Sequence, residues 1–263
     1  MRRNAFFWGS IFILFGILWM LRNAGIITFN IWDVFWPLFL MLLGIWILVG
    51  PLFGGKLSAG EPVSVPLEGA ARARVRINHG AGRMNIKGEP LAGNLLSGTF
   101  NRGLRVNSKL EADQLNVNLR TPEVFVPWLW GPGTAMDWTF SLNNAIPLSL
   151  RFSTGASQSH IDLSELLVTD LVLETGVSET RLVMPAHAGL TTARVQSGVS
   201  SVYVTIPEGV SARISVQSGL AGVSINRDRF PRQTGGYQSP DYDTATNKID
   251  LRIETGLGSV EVK

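Results

Sequence analysis

An internal repeat constrains this chain more than any other feature of its sequence. Six segments share a central glycine: INHGAGRMNI (77–86), FSTGASQSHI (152–161), LETGVSETRL (173–182), VQSGVSSVYV (195–204), VQSGLAGVSI (216–225) and IETGLGSVEV (253–262). In five of them the glycine follows Thr or Ser. The central glycines are Gly80, Gly155, Gly176, Gly198, Gly219 and Gly256. From Gly155 to Gly219 the gaps are 21, 22 and 21 residues; the last gap, 37, is one period of 22 plus a 15-residue insertion. A fixed period near 20 residues means that each unit is one supersecondary element that buries its apolar face against its neighbours.

The units have an inside and an outside. Three residues before the glycine stand Ile77, Phe152, Leu173, Val195, Val216 and Ile253. Five before it stand Val75, Leu150, Leu171, Ala193, Ile214 and Leu251, and six after it Ile86, Ile161, Leu182, Val204, Ile225 and Val262. Two before it the residue is always polar: Asn78, Ser153, Glu174, Gln196, Gln217 or Glu254. Alternation of period two on both sides of a glycine predicts strand, turn, strand with one buried face. The glycine is expected to supply a turn at φ > 0, with Gly176 and Gly198 in equivalent turns of adjacent rungs. The residue two further on is always small (Gly82, Ser157, Ser178, Ser200, Ala221, Gly258), which suits rungs stacked about 4.8 Å apart. The Thr or Ser before the glycine reads as a stacked polar ladder. Residues 58–263 are thus expected to form a β-solenoid or β-roll of 21–22-residue repeats.

Residues 1–57 have a different composition. Ala5–Leu21 and Val34–Phe53 are uncharged runs of 17 and 20 residues. As helices they would extend about 25 and 30 Å, close to the thickness of a hydrocarbon core. Trp8, Trp19, Trp32 and Trp36 lie near their ends, where indole rings favour the membrane interface. The pair is expected to be a two-helix transmembrane hairpin, which makes the chain a multi-pass membrane protein. No small-x-small cleavage site follows Leu21, so a signal peptide is the weaker reading. Arg2, Arg3 and Lys56 flank the hairpin and Arg22 lies in its linker; this three-to-one distribution places both termini, and with them the β-domain, in the cytoplasm.

Charge and composition exclude several functions. Residues 1–60 carry a net +3, whereas 61–263 hold 19 basic and 19 acidic residues, so the basic balance belongs to the N-terminal segment and gives no sign of nucleic-acid binding. With no cysteine, disulfides, thiolate metal sites and thiol nucleophiles are ruled out. His79, His160 and His187 are the only histidines; His160 lies at an outward, variable position and His187 in a turn. The acidic residues are scattered over polar positions, and no Walker or Rossmann glycine loop is present. No catalytic, cofactor or metal residues are assigned.

Two stretches interrupt the repeat. Residues 228–248 (DRFPRQTGGYQSPDYDTATNK) read as an exposed polar loop. Residues 121–133 (TPEVFVPWLWGPG) are apolar; Phe125, Trp128, Leu129 and Trp130 either cap one end of the solenoid or form a patch that touches the bilayer or a partner.

The hairpin, with FWGSIFILFGILWML and IWDVFWPLFLMLLGIWIL, resembles the transmembrane region shared by LiaI- and LiaF-like bacterial proteins. The segment DWTFSLNNAIPLSLRFSTGASQSHIDLSELLVTDLVLETGVSETRLVMP is similar to the toast-rack β-repeat domains that follow such hairpins. The resemblance implies a protein of the bacterial cytoplasmic membrane that acts in the cell-envelope stress response and modulates a sensor kinase, without enzymatic activity. Three functions are therefore weighed: a regulatory or scaffolding module, a membrane-tethered extracytoplasmic adhesin-like or glycan-binding solenoid, and an enzyme acting on envelope polymers. Self-association through unpaired end rungs is open to any of them.

Overall fold

The computed structural model describes residues 60–101, 104–121 and 136–263, together with 9, 12–13, 16–17, 19–20, 23–25, 36–37 and 39–41 of the N-terminal segment. The chain divides into two compact units, Met1–Leu57 with Val124–Thr134, and Ser58–Glu123 with Ala135–Lys263.

In the first unit most of the described residues are helical, with turn residues at Ala24 and Gly25. Phe12, Ile13, Ile17, Trp19 and Met20 are exposed although apolar. Among the described residues no helix is long and apolar enough to cross a membrane. Most of the two expected spans, and the whole of Phe125, Trp128, Leu129 and Trp130, lie outside the described residues.

The second unit is all-β. Its strands are β1 (Glu61–Pro66), β2 (Arg72–Glu89), β3 (Asn94–Phe100), β4 (Arg105–Glu111), β5 (Gln114–Arg120), β6 (Met136–Asn143), β7 (Leu148–Asp162), β8 (Val168–Val183), β9 (Leu190–Thr205), β10 (Ser211–Ile225), β11 (Arg232–Gln233), β12 (Gly236–Gln238) and β13 (Lys248–Val262). The six repeat units are β2, β7, β8, β9, β13 and β10, stacked in that order as parallel neighbours. Sequence order and spatial order part at the end. β13 inserts between β9 and β10, so the last unit of the chain is the fifth rung and β10 is the outermost.

Each unit is one long bent strand, not two strands joined by a turn. In β7 the buried side chains are Leu148, Leu150, Phe152 and Thr154, then Ser157, Ser159 and Ile161. The inward phase therefore slips by one at Gly155-Ala156, and both of these residues face out. Pairing between rungs follows the same slip. Thr154 pairs with Thr175 and Ala156 with Val177, while the glycines between them are skipped. The slip bends the strand into two limbs that enclose one core. Leu163, Leu166, Met184, Ile206 and Val210 in the connections close that core. Asp162 sets the first connection by accepting from the Ser164 N–H at 3.0 Å and its hydroxyl at 2.7 Å.

The role of the repeat glycines needs correction. None of the six has positive φ; that conformation occurs instead at Gly82 and Gly258, two residues further on. The repeat glycines are required by close approach. A Cβ on Gly155 would stand 2.5 Å from the carbonyl oxygen of Gly80, and one on Gly256 2.7 Å from that of Gly198. The corresponding distances at Gly176 and Gly198 are 3.0 Å.

The two ends of the stack differ. At the β2 end the first limb is covered by β5 and β4 and the second by β6, β3 and β1. At the β10 end the segment expected to be an exposed loop, 228–248, is in part a cap. Phe230 is fully buried and Tyr242 nearly so, because the outermost rung would otherwise leave Ile214 and its neighbours bare. β12 pairs with Arg213 and Ile214, and the Arg229 guanidinium donates to the carbonyls of Ile206 at 2.7 Å and Pro207 at 3.0 Å. Arg232, Gln233, Thr234, Asp241, Asp243 and Thr244 face solvent, which is the part of the expectation that holds, whereas Ser239 is buried and its hydroxyl accepts from the Ala212 N–H at 2.9 Å.

Candidate binding groove

The bend creates a groove of about 850 Å³ that runs across five rungs. Each rung contributes its glycine and the two residues before it: 153–155, 174–176, 196–198, 254–256 and 217–219. In-register stacking converts a repeated sequence position into a row. Ser153, Glu174, Gln196, Glu254 and Gln217 form an outward polar row in that spatial order.

Neighbouring members of the row bond to each other. The Ser153 hydroxyl donates to Glu174 at 3.0 Å, and the Gln196 amide donates to Glu254 at 2.8 Å. One step inward, the expected hydroxyl ladder is present: Thr154 donates to Thr175 and Ser197 to Thr255, each at 2.9 Å. The Gln196 hydrogen bond, with Arg252 and Arg194 nearby, holds the Glu254 carboxyl below the usual carboxylate range despite partial desolvation. Arg252 Nε lies 2.8 Å from Glu254 Oε1. A general acid of a glycoside hydrolase needs the opposite shift. Glu174 and Glu254 also stand two rungs apart, about 10 Å, with Gln196 between them.

Immediately beyond the glycines lies a row that the sequence reading missed. Ala156, Val177, Val199, Leu257 and Leu220 are paired rung to rung. Val177 is 61% exposed, Val199 49%, Leu257 46% and Leu220 83%. Singly exposed apolar residues need no explanation, but here they form a continuous row beside the polar groove. A signal was available: the residue after each repeat glycine is Ala, Val or Leu in all six units, although it stands on the outward phase.

The remaining sequence candidates fall elsewhere. The six glycines line or extend the bend. His160 is exposed on the second limb, and His187 is exposed in the bend between β8 and β9. His79 is buried; its Nε2 lies 2.9 Å from the Met136 carbonyl, and its ring meets Trp138 edge-on at 4.9 Å. Burial pushes the His79 pKa down, against opposing effects of the Met136 hydrogen bond and the Asp137 charge. Among the described residues no group of three His, Asp or Glu side chains could hold a metal ion. The arrangement offers hydrogen-bonding groups and apolar side chains in parallel rows, which is binding chemistry.

A solved structure shares this fold. The fold is similar to the crystal structure of "a putative cell adhesion protein from Clostridium sporogenes ATCC 15579", with TM-score 0.68 and 21% identity over 77% of this chain and 97% of that one. "A putative adhesin" from Bacteroides fragilis NCTC 9343 aligns over 77% of this chain and 96% of that one, with TM-score 0.27 and 9% identity. No curated protein matches the chain. Residues 6–48 match the LiaI-LiaF-like transmembrane region, which associates the chain with the bacterial membrane. Residues 53–206 match the N-terminal domain of toast_rack, DUF2154, and the same rung pattern continues past them through β10 and β13. With more than half its length in that match, the chain belongs to the toast_rack family.

Proposed function

We propose that this is a non-enzymatic, membrane-anchored regulatory or scaffolding protein, LiaF-like in kind, whose β-domain binds a partner in cell-envelope stress signalling. The observation that carries the reading is the groove. Its polar and apolar rows recur at every rung, and its carboxylates are engaged as hydrogen-bond acceptors. A row of groups at rung spacing suits an extended segment of another protein laid across the rungs, with the apolar row beside it supplying contact area. The joining of a LiaI-LiaF-like region to a toast_rack domain supports a membrane partner such as a sensor kinase. The three-to-one excess of Lys and Arg outside the hairpin linker supports a cytoplasmic β-domain.

The second reading is an extracytoplasmic adhesin-like or glycan-binding domain, favoured by the fold shared with the Clostridium sporogenes protein. It requires the opposite topology. A reporter fused after Lys263 separates the two. The regulatory reading expects an active cytoplasmic reporter and a silent alkaline phosphatase there; high phosphatase activity would overturn it in favour of the adhesin. On the regulatory reading, Val199→Asp should also abolish photo-crosslinking of a membrane protein to a probe at Leu257.

A further inference from the structure

We infer that the second limb of β10 is the self-association edge of this protein, pairing antiparallel with the same limb of a second copy about a twofold axis at Val223. The cap covers only the first limb, since β12 stops at its pairs with Arg213 and Ile214. Beyond Ile214, among the described residues, nothing pairs with the outer edge of β10. Its inward side chains are consequently bare. Val223 is 39% exposed, whereas its equivalent Val260 on the next rung is 1% exposed. Ile225 is half-buried where its neighbour Val262 is fully buried.

Composition separates this edge from the other free edges. β1 carries Pro62 and Pro66, β4 carries Arg105, Lys109 and Glu111, and β11 has Arg232 next to Pro231. Charge and proline are the usual protection of an edge against pairing. Residues 215–225 (SVQSGLAGVSI) have neither. An uncharged edge meets its own copy without repulsion.

The pattern also selects the register. Inward and outward side chains alternate, so an antiparallel partner continues the buried face only when the axis passes through a residue. An axis at Val223 sets Ala221 against Ile225 and Val223 against Val223, which joins the two inner faces. The outward positions then hold Gly222 and Ser224, which are small. The bend at Gly219 ends the pairing on one side. Head-to-tail stacking is closed, because β2 at the far end is already paired on both edges. A twofold contact closes on itself and gives a dimer, not a fibre.

The chain has no cysteine, so one introduced thiol reports on its own position. Val223→Cys in the full-length protein in native membranes is expected to form a disulfide dimer at twice 28.7 kDa under mild oxidation. Gln158→Cys, exposed on β7, is expected to remain monomeric. Val223→Lys should convert the detergent-solubilised protein to a monomer while its β-sheet circular-dichroism signal is retained. The inference is overturned if Val223→Cys reacts with maleimide yet forms no dimer. It is equally overturned if Gln158→Cys crosslinks as well, or if Val223→Cys links only to a different protein.

Discussion

The inner rungs and the outermost rung carry the same repeat but live in different surroundings. On β8, Leu173 and Leu182 are each 1% exposed, because a rung lies on either side. On β10 the equivalent Val216 and Ile225 are only partly buried. Inward orientation is a property of the strand's own alternation. Burial is a property of the neighbours, and repeat stability resides largely in those nearest-neighbour contacts. The cap on β10 makes the same point: among the described residues one limb has a neighbour and the other has not.

That contrast can be broken at the cap. Phe230 in the capping segment is fully buried in the core, so Phe230→Ala should cost about 3–5 kcal/mol, read as a shift in the urea midpoint. Hydrogen exchange should then show β10 opening before β8. A cost below about 1 kcal/mol, within the range of ordinary surface changes, would mean that the cap does not hold the end rung.

A matched pair of truncations sharpens it. Leu182→Ala, inside the stack, should cost about 2–5 kcal/mol through the cavity it leaves. In the monomeric Val223→Lys background, Ile225→Ala at the same repeat position on β10 should cost about 1 kcal/mol, since solvent reaches that side chain in a single copy. Equal costs in that background, measured by urea titration, would show that the second limb of β10 is covered within a single chain.

The bend offers a third test. Gly155→Ala places a methyl group against the Gly80 backbone and should cost about 1–3 kcal/mol. Gly219→Ala on the outermost rung meets Gly256 at 2.9 Å, but a rung with one neighbour has room to shift, so its cost should be smaller. Thermal unfolding of the two variants decides the order.

A pH effect belongs to the opposite end of the stack. Burial holds His79 neutral with a pKa below its ordinary value of about 6.5. The unfolded chain therefore binds the proton more readily. Stability from this group is fully present above about pH 6.5 and is lost as the pH falls toward the lower folded value, with a slope of at most about 1.4 kcal/mol per pH unit. His79→Gln should flatten that part of the melting-temperature profile. The smallest effect is expected at His160, exposed on the second limb, where Ala should change stability by less than about 0.5 kcal/mol. A cost there comparable to that of Leu182→Ala would invalidate the inside and outside faces of β7.

Much of the β-domain was legible because strand alternation and repeat spacing are local. Ile77, Phe152, Leu173 and Ile86 were assigned inward from alternation alone, and each is buried. The hydroxyl ladder followed from the same stacking argument. The glycines read as turn residues at φ > 0 from the sequence, whereas in the structure none has positive φ and each from Gly155 on lies against the backbone of a neighbouring rung. A turn at φ > 0 is a local conformation, whereas the distance from Gly155 to Gly80 exists only after two rungs 75 residues apart have met. Loop 228–248 was misread in the same way: its polar composition hid Phe230, whose burial depends on the uncovered end of a stack.

By itself, the sequence of this protein determined the period of the rungs, the side chains that face the core and the kind of N-terminal segment that precedes them. These are encoded in patterns of a few residues, and a strand that alternates with period two presents those faces whatever it packs against. Only the tertiary structure decided that β13 enters between β9 and β10, that the residues around the bend line up into a groove, and that among the described residues half of the last rung has no neighbour on its outer edge. Those outcomes depend on which rung becomes the neighbour of which, and two units with nearly identical patterns, VQSGLAGVSI and IETGLGSVEV, leave that choice to the packing of the whole stack.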